Sequence, residues 1–170
     1  NKKKEKKAIF TTRSDRNLNF LIDCWREIIK KSENSSLWIN PPYNISESDK
    51  EINIQLRKKG TKEDLIKDLL SSRVMLNPGH KGEVFCLAAE EARELCVPIV
   101  TMGTGSLYER VEHKKTGFIA KNKNEFVHFS LNILNDDNLY SELYKNLLSK
   151  RNSRTYKNVA SDFLKLIYEN

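Results

Sequence analysis

The feature that most constrains this chain is a repeated alternation of short apolar, β-prone runs with longer stretches of helical periodicity. Residues 8–12 (Ala-Ile-Phe-Thr-Thr) read as a buried strand. From Asn17 to Lys31, Leu18, Leu21, Ile22, Trp25, Ile28 and Ile29 recur at steps of three and four, the spacing of an amphipathic helix. Residues 36–40 predict a second strand, ended by Pro41-Pro42 because proline offers no N–H to a ladder. Residues 45–50 are polar and read as loop, and 51–56 alternate weakly as a strand. Thr61 is placed to cap a helix running to Leu70, with Asp64 at its third position. A strand over 73–77 breaks at Pro78-Gly79, and a helix is predicted over 85–95 and a strand over 97–101. A loop at Gly103–Gly105, a helical turn at 106–111 and a strand at 117–120 follow. After Asn124 the pattern is helical to the end, with breaks near 135–138 and 151–153.

Strands alternating with helices of this length imply right-handed crossovers and a parallel sheet covered on both faces. The expected fold is α/β: a Rossmann-like parallel sheet flanked by helices, with further helices at the C-terminus. Ligands in such sheets sit beyond the carboxyl ends of the strands, at helix N-termini. The expected organisation is a basic leader or linker over residues 1–7 and a single domain over 8–170. The chain opens on Asn rather than Met, and is expected to be a piece of a longer protein. No apolar run reaches the roughly 18 residues that span a bilayer, and no apolar segment follows the N-terminal lysines as in a signal peptide.

Cys24, Cys86 and Cys96 form no paired or metal-binding spacing and read as buried apolar residues in a reducing, cytoplasmic setting. The net charge of +7 favours anionic partners. The basic clusters lack the interleaved aromatics of a single-strand platform, so a phosphorylated small molecule or an anionic membrane surface is expected and nucleic acid is not.

The chemistry-bearing stretch is Leu76 to Ala120. A strand ends at Pro78-Gly79, a loop carries Gly82 and Glu83, and a helix opens behind them. A helix N-terminus carries unpaired amides and partial positive charge, which suits a phosphate. The expected donors are the backbone amides of Val84, Phe85, Cys86 and Leu87. Glu83 before the helix and Glu91 some two turns inside it can accept from hydroxyl groups on either side of a diphosphate. Alone, two glutamates at this separation arise by chance roughly once in a chain this rich in Glu. Taken singly, Glu91 is a solvated helix position, and Glu83 a carboxylate favourably placed at a helix start. His80 reads as a loop histidine making local hydrogen bonds. His80 and Glu83 find no further ligands nearby, so no metal site is expected.

The context of the pair resembles the donor-site region of family 4 glycosyltransferases, which have the two-domain GT-B architecture. The matching residues are Glu83, Phe85, Glu91-Ala92, Pro98-Ile99-Val100, Gly103 with Gly105, Glu109 and Thr116-Gly117-Phe118, in order and with matching gaps. At the end of the first strand the family has Gly-Arg and a later Lys that reach the donor diphosphate; here Arg13 and Arg16 take those places, with Thr12 for the glycine and a shorter gap. Cys86 stands where many relatives have glycine.

The resemblance implies that Glu83 contacts the donor sugar and acts in catalysis, and that Glu91 holds the ribose hydroxyls. Arg13, Arg16 and amides of the Gly103, Gly105 and Ser106 loop would hold phosphate and sugar. It implies one half of a GT-B fold: the donor-binding, C-terminal half of a retaining enzyme that moves a hexose-type sugar from a UDP-, GDP- or ADP-linked donor to a glycan, lipid or other acceptor. Polysaccharide synthesis, a missing N-terminal acceptor domain, weak or no activity alone, no cofactor beyond the donor, and a cytoplasmic place with peripheral attachment at the inner membrane face complete the expectation. The final helices, from Leu139 on, are expected to pack partly on the missing half. A GT-B nucleotide-sugar epimerase half and a non-enzymatic basic α/β binding module are the alternatives.

Overall fold

In a computed structural model the chain is described over residues 4–151 and 156–168. The elements follow the order β1 (Lys7–Phe10), α1 (Leu18–Ile29), β2 (Ser36–Ile39), α2 (Glu47–Glu51), β3 (Ile54–Leu56), α3 (Lys62–Ser71), β4 (Val74–Leu76), α4 (Leu87–Glu94), β5 (Ile99–Thr101), α5 (Leu107–Arg110), β6 (Gly117–Ile119), α6 (Lys123–Asn135), α7 (Asp137–Lys150) and α8 (Tyr156–Tyr168). The strands form one six-stranded parallel sheet in the order β3-β2-β1-β4-β5-β6. Strand order reverses between β1 and β4, which opens a crevice at their carboxyl ends.

Burial explains the order. The central strands β1, β4 and β5 are buried at every position, whereas β2 and the edge strand β3 alternate or open to solvent. A strand covered on both faces reads as a continuous apolar run. Successive side chains feed opposite layers: Ala8, Phe10, Val74, Leu76 and Val100 pack with α1 and α6, while Ile9, Met75 and Ile99 pack with Leu69 of α3 and Ala89 and Ala92 of α4. In the first layer Trp25 is fully buried and its Nε1 donates to the Ile52 carbonyl at 2.7 Å.

Two expectations need correction. The solvated leader does not hold for residues 4–7; residues 1–3 lie outside the described ones. Lys7 opens β1 in register with Ser36, its ammonium 3.9 Å from the Trp38 ring centre and bonded to Asp68 and Ser71 at 3.3 and 3.0 Å. Lys4 donates to the Ser72 carbonyl at 3.1 Å. Long stems lie along apolar surface while their heads find acceptors, so a run of like charges need not be solvated. Second, the polar stretch read as loop contains α2, too short for periodicity to reveal but closed by a reciprocal capping box between Ser46 and Asp49. Of the final helices, α7 buries Leu143 and Leu147 in this domain and leaves Leu148 exposed, and α8 presents Phe163, Leu164 and Ile167 to solvent. The break expected near 151–153 falls largely outside the described residues.

Candidate donor site

Two loops meet in the crevice between β1 and β4. The first runs from Thr11 to Asn17 and ends in an Asn17 held left-handed (φ 60°) ahead of α1. The Asn17 side-chain amide donates to the Gly79 carbonyl of the second loop. One residue earlier, Arg16 Nη1 lies 2.8 Å from His80 Nδ1, and its Nε lies 3.7 Å from Glu83 Oε2. The Gly82 amide also donates to His80 Nδ1, at 3.0 Å. Both partners of Nδ1 are donors, which puts the ring proton on Nε2. Arg16 and Glu83 keep only 18% and 15% of their side-chain surface exposed, so the pair is partly shielded and already oriented.

A third loop, after β5, backs the second. Ser106 N–H donates to the Glu83 carbonyl at 3.0 Å, Met102 N–H to the Pro78 carbonyl at 3.1 Å, and Gly79 bridges to Thr104. Gly105 adopts φ 65°, and a Cβ there would sit 2.6 Å from the Glu83 carbonyl oxygen and 2.9 Å from that of His80. Only glycine permits this approach.

Helix α4 begins at Leu87, two residues later than expected, because Cys86 is left-handed at φ 58° and ψ 72°. That is the backbone glycine adopts freely, which accounts for the glycine of the resembling family at this position. The cysteine is kept by burial: it is 3% exposed, and its sulfur receives the Asn77 side-chain amide at 3.4 Å. Burial pushes its thiol pKa up, and the nearby Glu83 carboxylate adds to the rise against the amide of Ala89. With the later start, Glu91 stands one turn into α4, not two, on the same face as Leu87. Glu91 is partly buried and its carboxylate carries no hydrogen bond or ion pair among the described residues, whereas Glu90 is held by Arg93 and Arg110.

The structure therefore brings together Arg16, Glu83, the amides of Val84 to Leu87 and the Gly103–Ser106 loop, but it divides their roles. The Val84, Phe85, Cys86 and Leu87 amides have no protein acceptor among the described residues and stay open to a ligand. The Gly103 and Ser106 amides do not: the first donates to Thr101 Oγ1 at 3.0 Å and the second to Glu83. That loop shapes the site and supplies no donor from those two residues. Arg13 is turned outward, 72% exposed and paired with Asp15 at 2.9 Å. It lines an open cavity of about 310 Å³ with Thr11, Thr12, Asn40 and Pro41 beyond the ends of β1 and β2. Neither Glu83 nor Glu91 lines that cavity, which lies beside the Arg16–Glu83 pair rather than around it. Asn17 was missed by sequence reasoning; its only signal was a polar residue just ahead of the first apolar helical position. Among the described residues no group of three His, Cys, Asp or Glu side chains is placed to hold a metal ion, and no helix is long and apolar enough to cross a membrane.

Residues 2–149 match the family described as Glycosyl transferases group 1. No curated protein matches at the level of sequence. Among solved structures, a mutant of S. aureus TarM bound to UDP, alpha-GlcNAc-glycerol and fondaparinux is 19% identical with a TM-score of 0.75, over 96% of this chain and 36% of that one. The pneumococcal O-GlcNAc transferase GtfA, bound to UDP and GlcNAc, is 16% identical with a TM-score of 0.78, over 98% of this chain and 36% of its own. The C-terminal domain of a glycosyl transferase group 1 family protein, LpcC from Francisella tularensis, is 15% identical with a TM-score of 0.68, over 85% and 84%. This chain thus spans about a third of the two longer proteins and nearly all of the isolated C-terminal domain.

Proposed function

This chain belongs to the glycosyl transferases group 1 family, and on that footing we propose that it is the donor-binding half of a retaining glycosyltransferase whose acceptor-binding half lies outside the sequence. One observation carries the reading: Arg16 and Glu83 are drawn together at the switch point, in front of the unpaired amides that open α4. A diphosphate placed there meets a guanidinium fork and a helix N-terminus, both suited to negative charge. Glu83 contacts the sugar and Glu91, without a partner of its own, takes the ribose hydroxyls.

When the bond between the sugar's anomeric carbon and the diphosphate oxygen breaks, its electron pair goes to that oxygen. Arg16 and the α4 amides stabilise the charge that appears, with no metal in that role. The acceptor hydroxyl then bonds to the anomeric carbon on the face the diphosphate leaves, and its proton passes to the departing diphosphate oxygen. The transferred sugar is of hexose type, the acceptor a glycan or lipid, and the three unpaired, buried cysteines fit a reducing compartment.

UDP is the first ligand to try, because the TarM and GtfA structures hold it. Calorimetric titration of the chain with UDP, GDP and ADP, and with their sugars, tests the reading. Glu91→Ala and Arg16→Ala are each expected to weaken the preferred diphosphate about tenfold or more, as the loss of a charge-assisted hydrogen bond does. Binding that ignores both substitutions and fades with salt for every polyanion would replace this reading with a basic binding module.

A further inference from the structure

The turn from Glu83 to Cys86 has to hold its shape for the α4 amides to face a ligand, yet it has little packing of its own. Val84 is 90% exposed and Phe85 50% exposed. Its two ends are anchored, Glu83 through its carbonyl by Ser106 and Cys86 through its sulfur by Asn77. Cys86 adds a left-handed backbone, φ 58°, which is unfavourable for an L-residue. Something must hold the middle.

We propose that Arg110, at the end of α5, is the positioning residue that holds this turn in its ligand-ready shape; its effect on donor affinity rests on the donor-site reading above. Arg110 Nε donates to the Phe85 carbonyl at 3.2 Å. Its guanidinium lies 4.3 Å from the centre of the Phe85 ring. Its Nη1 reaches Glu90 Oε1 at 2.9 Å, on the first turn of α4. One side chain therefore ties the β5–α5 region, the middle of the turn and the start of the helix. Among the described residues no other side chain bonds to Val84 or Phe85. The planar fork matters: it stacks, donates to a carbonyl and pairs with a carboxylate at once, and an ammonium cannot do all three. Arg110 touches no ligand in this scheme; it acts through the amides and Glu83.

Two readouts on the chain decide the matter. In the unliganded protein, exchange of the amides that donate to carbonyls of the turn, Ser106 to Glu83 and Ala89 and Glu90 to Cys86, is expected to quicken about tenfold in Arg110→Ala, with exchange in β1, β4 and β5 unchanged. Arg110→Lys keeps the pairing with Glu90 and should restore the melting temperature without restoring slow exchange at these amides. UDP affinity should fall about tenfold in both variants. Unchanged exchange at Ser106, Ala89 and Glu90 in Arg110→Ala overturns the proposal, whether or not UDP binds. Faster exchange with undiminished UDP affinity overturns the link from turn to ligand. A uniform loss of protection across the sheet, or full rescue of the turn by lysine, makes Arg110 a general structural residue and also defeats it. If the wild-type chain binds no nucleotide, the donor-site reading fails by itself, and the exchange data still decide what Arg110 does to the turn.

Discussion

Replacing Gly105 by alanine tests the three-loop construction of the site most directly. The new Cβ would stand 2.6 Å from the Glu83 carbonyl oxygen, 2.9 Å from that of His80 and 3.1 Å from Glu83 Cβ. The first two are backbone atoms, so relief requires the loop that carries Glu83 to move. Alanine at φ 65° costs about 1 kcal/mol by itself. Displacing the Glu83 carbonyl also loosens the hydrogen bond it accepts from Ser106, worth about 1 kcal/mol. The sum is about 2–3 kcal/mol with residual strain. At an m-value of about 2 kcal/mol per molar urea, the denaturation midpoint should drop by about 1 M. Because Glu83 moves with its backbone, its 3.7 Å approach to Arg16 is lost and UDP affinity should fall about tenfold or more. Gly82→Ala is the control: its nearest neighbours are side-chain atoms of His80 and Arg16 at 3.3 and 3.5 Å, and its φ lies outside the positive range. Its midpoint should stay within about 0.3 M of wild type. Equal shifts in the two variants, or a Gly105→Ala chain that binds UDP like wild type, would refute the claim that Gly105 sets the position of Glu83.

Cys86→Gly exchanges a buried thiol for a residue at ease with φ 58°, so stability should stay within about 1 kcal/mol of wild type and UDP affinity within about twofold, as urea denaturation and titration would show. Cys86→Val, β-branched in the same left-handed backbone, should cost about 2 kcal/mol or more in the same assay. Asp68→Ala strips the carboxylate from Arg57 (2.7 Å) and Lys7 (3.3 Å), whose side chains are 7% and 6% exposed, and should cost about 3–5 kcal/mol by denaturation. Burial pushes the Tyr140 phenol from its ordinary 10.0 up to about 12, so the folded chain keeps a proton that the unfolded chain has lost. Stability is therefore unaffected by this group below about pH 10 and declines as pH rises from there toward about 12; Tyr140→Phe should flatten that part of the urea-midpoint profile, although Cys24, raised to about 12 by burial, leaves some decline behind.

The sheet was legible because its signal is periodic and large. The apolar runs at 8–10, 74–76 and 99–101 are continuous where the strands are buried on both faces, and that continuity reports burial directly. The Thr61–Asp64 cap is legible because both partners lie within one turn. Ser46 and Asp49 cap α2 in the same way, but no apolar stripe marks that helix in the sequence. Glu83 and the α4 amides were legible from the strand-to-helix junction, and Arg16 only through the family resemblance. What stayed hidden were relations across the sheet edge. Asn17 with Gly79, Arg16 with His80 and Arg110 with Phe85 join residues many positions apart, and no local pattern encodes their meeting. The fate of the Gly103 and Ser106 amides was hidden for the same reason, since their acceptors lie on Thr101 and on another loop.

Arg13 and Arg16 are expected to share one job, and their surroundings differ. Arg16 is partly shielded and already held by Glu83 and His80, so a diphosphate bound as proposed would find it oriented, with little side-chain entropy left to lose. Arg13 is 72% exposed and paired with an Asp15 that is itself 62% exposed, a contact worth at most about 1 kcal/mol and weakened by salt. Breaking it costs little, and the side chain springs from the same loop between β1 and α1. On the proposed reading, Arg13 would have to swing inward to meet phosphate, whereas Arg16 already lies beside Glu83 and His80. If the proposed donor reading holds, that division would serve catalysis. A fully preformed double cation would hold a released diphosphate as firmly as the donor, whereas one fixed and one recruitable arginine would concentrate binding on the moment when the leaving charge appears.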